Sequence, residues 1–182
     1  MGEPVIHVRD EVVNQGFERA GLMLLYHCNP GYPVVADGAV LVTPPAEITP
    51  LDENAARGMG QRSDFPGPQD GFVENVYRHE LLPTDAAIVS ASIVNPHFEP
   101  TGGIGLTVAW DPTELPRMWQ WRMLGPGMYV TGLEPANCTV DGRASDREDG
   151  TLEYLEPGER RTYGVTIRVS LGAEAQALAE QA

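Results

Sequence analysis

Alternation of apolar and polar side chains with a period of two recurs along this chain and confines it to a sheet protein. Tyr163, Val165, Ile167 and Val169 form one row, and Thr162, Thr166 and Arg168 form the other. Successive side chains of a strand point to opposite faces, so this pattern builds an antiparallel strand with one face buried. Ile104, Leu106, Val108 and Trp110 make a second such row, and Ala87, Val89, Ala91 and Ile93 a third. Within Val5–Val13, Ile6, Val8 and Val12 share a side. Leu22–Tyr26 is apolar throughout and predicts a central strand covered on both faces. Further strands are expected at Ala39–Thr43, Phe72–Leu81, Met118–Met123, Met128–Glu134 and Thr151–Leu155. About ten strands close or stack into a sandwich or barrel.

The punctuation between these runs agrees. The chain has 20 glycines and 16 prolines in 182 residues. Asn29-Pro30-Gly31, Pro66-Gly67-Pro68, Gly125-Pro126-Gly127 and Pro157-Gly158 are turn signals. Pro44–Asp70 lacks a strand pattern and reads as a long surface loop with one helical turn near Glu53–Arg57. Such a loop is either a lid over a binding site or a plain solvated excursion. Ala173–Ala182 is rich in alanine and glutamate, the composition of a short terminal helix or a frayed tail. The expected organisation is one all-β sandwich domain over residues 1–171, carrying the loop 44–70, and a helix or tail over 172–182.

Acidic residues number 26 against 12 basic ones, for a formal charge of −14. That balance argues against nucleic acid or an anionic membrane as a partner. No window reaches the roughly 18–20 apolar residues of a membrane span, and no secretory signal is visible. Two cysteines, Cys28 and Cys138, make no disulfide framework, so a cytoplasmic protein with reduced thiols is expected. His7, His27, His79 and His97 form no close pair, and no metal site is expected. No Gly-x-Gly-x-x-Gly, P-loop or Gly-x-Ser-x-Gly occurs, which leaves nucleotide binding and serine hydrolysis without support.

Two segments put polar groups at the ends of apolar runs. In Leu24–Pro33, His27 and Asn29 share one side of an emerging strand, between Tyr26 and Tyr32. In Met128–Asn137, Glu134 ends an apolar stretch beside Pro135. An isolated buried carboxylate is costly, so Glu134 belongs in a cleft or in a pair. The same residue types also serve as a hydrogen-bonded core histidine and a turn-forming glutamate.

Residues 24–33 resemble the His-containing strand end of the galactose mutarotase (aldose 1-epimerase) superfamily. Gly-Leu-Glu-Pro-Ala-Asn, residues 132–137, resembles the segment that carries its catalytic glutamate. An uncharacterised branch of that superfamily is similar at residues 25–33, 71–77, 119–135 and 155–160, in that order. The resemblance implies a galactose-mutarotase-like antiparallel β-sandwich, here a chain that starts inside the family pattern and lacks its first half. In characterised mutarotases that half supplies a second sugar-contacting histidine and an arginine.

The resemblance further implies cofactor-free exchange of the anomers of a free or modified sugar, with Glu134 as base at the anomeric hydroxyl and His27 as acid at the ring oxygen. Asn29, Tyr32, Glu74, Tyr77, Trp121 and Arg122 are the candidate sugar-binding residues. Trp119 and Trp121 lie two apart on one strand face, as a stacking platform or as core. The alternatives are a carbohydrate-binding module without turnover and a partial chain that needs a partner, because an interrupted sandwich exposes strand edges that invite self-association.

Overall fold

The computed structural model describes residues 3–182. In chain order the strands are β1 (Val5–Val13), β2 (Ala20–Leu22), β3 (Ala39–Val42), β4 (Ala46–Pro50), β5 (Asp64–Phe65) and β6 (Asn75–Leu81). They continue as β7 (Val89–Asn95), β8 (Ile104–Trp110), β9 (Arg117–Gly125), β10 (Met128–Ala136), β11 (Glu153–Leu155) and β12 (Arg160–Leu171). The helices are α1 (Glu53–Gly58), α2 (Arg143–Glu148) and α3 (Ala173–Ala179).

Two antiparallel sheets stack face to face. One runs β1-β12-β8-β7-β3-β5, the other β10-β9-β6-β4, and β11 pairs with β2 in a small ribbon. The alternating rows read from the sequence fall on the inner face of the larger sheet. Ala91, Ile93, Val108, Trp110, Tyr163 and Val165 are all buried there. Met118, Leu124 and Leu133 close the core from the smaller sheet. Two opposed sheets bury alternate residues of each strand, which is why period two predicted them. Trp110 is 1% exposed and gives its Nε1 hydrogen to the Leu115 carbonyl at 3.0 Å, so the bulkiest core residue leaves no polar atom unpaired. Helix α3 packs on β7, with Ala175 fully buried. Ile6 of β1 stays 62% exposed because β1 is an edge strand.

Three expectations need correction. Leu22–Tyr26 is no central strand: only Ala20–Leu22 forms β2, and the chain then runs as an extended segment along the free edge of β10. Its apolar run is long because it packs over the sheet's end, where Met23 and Leu25 cover Trp119. Pro44–Asp70 is no structureless loop, since it contains β4, α1, a single 3₁₀ turn and β5. The expected helical turn is α1, N-capped by Asp52, whose side chain accepts from the Ala55 amide at 2.7 Å. Ala87 precedes β7 and is exposed.

Candidate active site

The site is built on the outer face of the smaller sheet, where β10 meets the extended segment Leu24–Pro30. That segment is held by backbone bonds from the Tyr26 amide to the Pro135 carbonyl at 3.0 Å and from the Leu133 amide to the Cys28 carbonyl at 2.9 Å. Asn137 anchors its start: Asn137 Oδ1 accepts from the Leu24 amide at 2.7 Å, and the Asn137 amide donates to the Leu24 carbonyl at 3.1 Å. Pro135 offers only a carbonyl, which is all the pairing asks of it. Bridges join Leu25 to Ala136 and Cys28 to Leu133. They are equally spaced on both segments, so His27 falls opposite Glu134. Directly paired residues project to the same side of a sheet.

His27 Nε2 lies 3.2 Å from Glu134 Oε1. The His27 side chain is 50% exposed and that of Glu134 5%. His27 Nδ1 contacts Asn29 Oδ1. The other ring nitrogen, Nε2, faces the carboxylate oxygen. Burial pushes the Glu134 carboxyl up to about 7, against the opposing pull of His27. A carboxyl poised there exchanges a proton near neutrality, as acid–base catalysis requires.

A cleft of about 360 Å³ opens over this pair. Its polar wall is His27, Asn29, Glu74 and Glu134; Leu51, Val76, Trp121 and Val140 make the apolar wall. Trp121 Nε1 donates to Glu74 Oε2 at 2.8 Å, which fixes the indole and the carboxylate together. The Trp121 ring stands edge-on to His27, with centroids 6.1 Å apart. Asn54 of α1 donates to the backbone carbonyls of Val73, at 3.1 Å, and Glu74, at 2.9 Å, and so seats Glu74. Larger grooves, of about 490 and 610 Å³, lie beside β3 and β5 and along β1 and β12. Neither brings a buried carboxyl against a histidine, and chemistry rather than size selects the smaller cleft. Among the described residues, no cluster of three or more metal-ligating side chains occurs.

His27, Asn29, Glu74, Trp121 and Glu134 thus converge. Tyr77, Arg122 and Tyr32 do not. Arg122 follows Trp121 on β9, and neighbours on a strand face opposite ways. Tyr77 pairs with Gln120 of β9 and shares the inner face with Arg122. Tyr77 is 0% exposed and Arg122 3%. Arg122 Nη2 donates to the Asp64 carbonyl at 2.5 Å, and its guanidinium lies over Phe65. Burial lowers the Arg122 pKa and raises that of Tyr77. Arg122 thereby holds β5 beneath the sheet. Tyr32 is 80% exposed, because the turn it enters buries Val34 and Val35 instead.

Trp119 shares a face with Trp121, yet it is 1% exposed and donates Nε1 to the Cys138 carbonyl at 3.1 Å, so it is core. Sequence reasoning missed Leu51, Val76, Val140 and Asn54. Val76 was legible, being opposite Trp121 once β6 and β9 are paired. Leu51, Val140 and Asn54 come from turns and a helix whose placement no local pattern records.

No helix among the described residues is long and apolar enough to cross a membrane. No curated protein matches the chain. Solved structures do. A provisionally assigned aldose 1-epimerase from Klebsiella pneumoniae superposes with a TM-score of 0.86 at 23% identity, over 99% of this chain and 46% of the other. A galactose mutarotase related enzyme from Lactobacillus acidophilus gives 0.60 at 14% identity, over 96% and 61%. A provisionally assigned aldose 1-epimerase from Escherichia coli K12 gives 0.55 at 18%, over 92% and 56%. At these identities the likeness establishes the mutarotase-like fold alone, and the chain spans about half the length of those solved chains. Residues 1–169 match a family described as Domain of unknown function (DUF4432), and the chain belongs to that family.

Proposed function

We propose that the protein is an aldose 1-epimerase-like sugar-binding protein whose cleft interconverts the anomers of a free aldose. The observation that carries this reading is the His27–Glu134 pair, one buried carboxyl and one half-exposed imidazole 3.2 Å apart at the floor of a cleft. The anomeric hydroxyl and the ring oxygen of an aldose are bonded to the same carbon, so an acid and a base side by side reach both.

Glu134 takes the hydroxyl proton while His27 Nε2 gives its proton to the ring oxygen. The bond from the anomeric carbon to the ring oxygen breaks, and the anomeric carbon becomes a carbonyl. After rotation about the adjacent carbon–carbon bond, the ring hydroxyl attacks the other face, returns its proton to His27, and Glu134 reprotonates the new anomeric oxygen. Every proton is restored and no cofactor enters the balance. Trp121 offers an apolar face to the sugar, and Glu74 and Asn29 offer hydrogen-bonding groups to its hydroxyls.

Proton exchange spectroscopy on the purified protein with a panel of aldoses tests the reading. Accelerated exchange between the anomeric protons of at least one sugar supports it. Sugar binding without acceleration replaces it with a carbohydrate-binding module.

A further inference from the structure

Gly132 lies in the middle of β10, opposite Trp121 and two residues before Glu134, on the cleft side of the sheet. Glycine in a strand interior is unfavourable because it loses the most conformational freedom on folding and offers nothing to pack. Nothing in the backbone asks for it, since Gly132 is not among the glycines with positive φ. The reason lies in space. A Cβ placed on Gly132 would overlap Glu134 Oε1 outright, and would stand 3.1 Å from Glu134 Cδ and 3.2 Å from Trp121 Cβ.

The Glu134 side chain therefore folds back along its own strand, and its terminal oxygen occupies the place a side chain at 132 would take. That oxygen is the one His27 Nε2 meets. It is buried, and it makes no aligned hydrogen bond among the described residues. The shape of its seat and the neighbouring His27 imidazole hold it.

We propose that Gly132 is a positioning residue: the missing side chain at 132 is the seat that sets the Glu134 carboxyl against His27 and beside Trp121. Its catalytic meaning rests on the epimerase reading; its geometric meaning does not. A carboxyl tip is a movable neighbour, so Gly132→Ala is accommodated by swinging the Glu134 side chain out of its seat rather than by unfolding the strand. A displacement of about 1 Å at a reacting group costs on the order of 100-fold in rate, so kcat falls by that order while KM for the sugar stays close to its original value.

The deciding measurement is the NMR titration of the His27 imidazole in the wild type, Gly132→Ala and Glu134→Gln. The charged groups facing His27 are Glu134 and Glu74. His79, buried on the opposite face of the same sheet, serves as an internal control. The His27 curve of Gly132→Ala is expected to leave that of the wild type and approach that of Glu134→Gln, with His79 unmoved. A Gly132→Ala curve that superimposes on the wild type, with Glu134→Gln distinct, overturns the assignment. So does a His27 curve that ignores Glu134→Gln.

Thermal unfolding gives a second readout that survives poor folding. The destabilisation by Gly132→Ala is expected to shrink in a Glu134→Ala background, where no carboxyl remains to be displaced. An equal loss in both backgrounds places the clash at Trp121 or the backbone and overturns the seat. A wild type that exchanges no anomers removes the epimerase reading and leaves these two results to stand or fall separately.

Discussion

His27 and Glu134, far apart in the chain, stand directly opposite one another across the free edge of β10, with Nε2 and Oε1 3.2 Å apart. Two backbone bridges set the register, so the pairing of His27 with Glu134 is a consequence of strand geometry rather than of side-chain reach. A slip of one residue would send His27 to the other face of the segment.

Replacing Glu134 by Gln keeps size and hydrogen-bonding groups but removes the carboxyl that the epimerase reading uses as base. Anomer exchange is expected to fall by about 10²–10⁴-fold, while sugar affinity by calorimetry changes little. Unchanged exchange would take Glu134 out of the mechanism.

The pH dependence follows from the Glu134 carboxyl, held by burial at about 7 against an ordinary 4.5. Its protonated form is favoured by folding. The corresponding stability is complete below about 4.5 and is lost as pH rises through about 7. The melting temperature of the wild type is expected to decline over that window relative to Glu134→Gln. Exchange activity moves the other way, rising through about 7 as the base ionises. A difference between wild type and variant that grows below pH 4.5 instead would contradict the assignment.

Trp119 and Trp121 separate by burial although they share a face. Trp121→Ala is expected to weaken sugar binding with little loss of stability. Trp119→Ala removes a side chain that is 1% exposed and should cost about 3–5 kcal/mol in chemical denaturation. Retained sugar binding in Trp121→Ala would return that residue to a packing role.

Asn54 gives two hydrogen bonds to the backbone around Glu74. Asn54→Ala should cost about 1–3 kcal/mol and loosen the Glu74–Trp121 contact, which the Trp121 indole N–H resonance reports directly. An unshifted resonance would mean that the turn holds its shape without α1.

The cleft presents the carboxyl groups of Glu74 and Glu134, and no lysine or arginine lines it. The whole chain carries a formal charge of −14. A phosphorylated aldose should therefore be exchanged more slowly than its neutral parent at low salt, with a gap that narrows as ionic strength rises. Faster exchange of the phosphorylated sugar would point to a cationic group outside this cleft wall.

Much of the architecture was legible because each strand that reaches the core carries its own record. Val165 and Ile167 on β12, or Val108 and Trp110 on β8, alternate since one face of each strand is buried. Strand β4 carries only a short record: Ala46, Ile48 and Pro50 are partly buried while Glu47 and Thr49 are exposed, over five residues at a sheet edge that end on a proline. Parity alone separates Trp121 from Arg122, and parity is a property of the sequence. Tyr77 required the pairing of β6 with β9.

The sequence by itself determined the class of fold, the strands of the core, and the two segments that carry His27 and Glu134, because these depend on local periodicity and local chemistry. Tertiary structure alone decided that the two segments lie edge to edge, that Trp119 is core while Trp121 faces the cleft, that Leu51 belongs to its wall, and that Asn54 holds the backbone at Glu74. Such relationships join residues distant in the chain, and they are set by register and packing, which no single segment encodes.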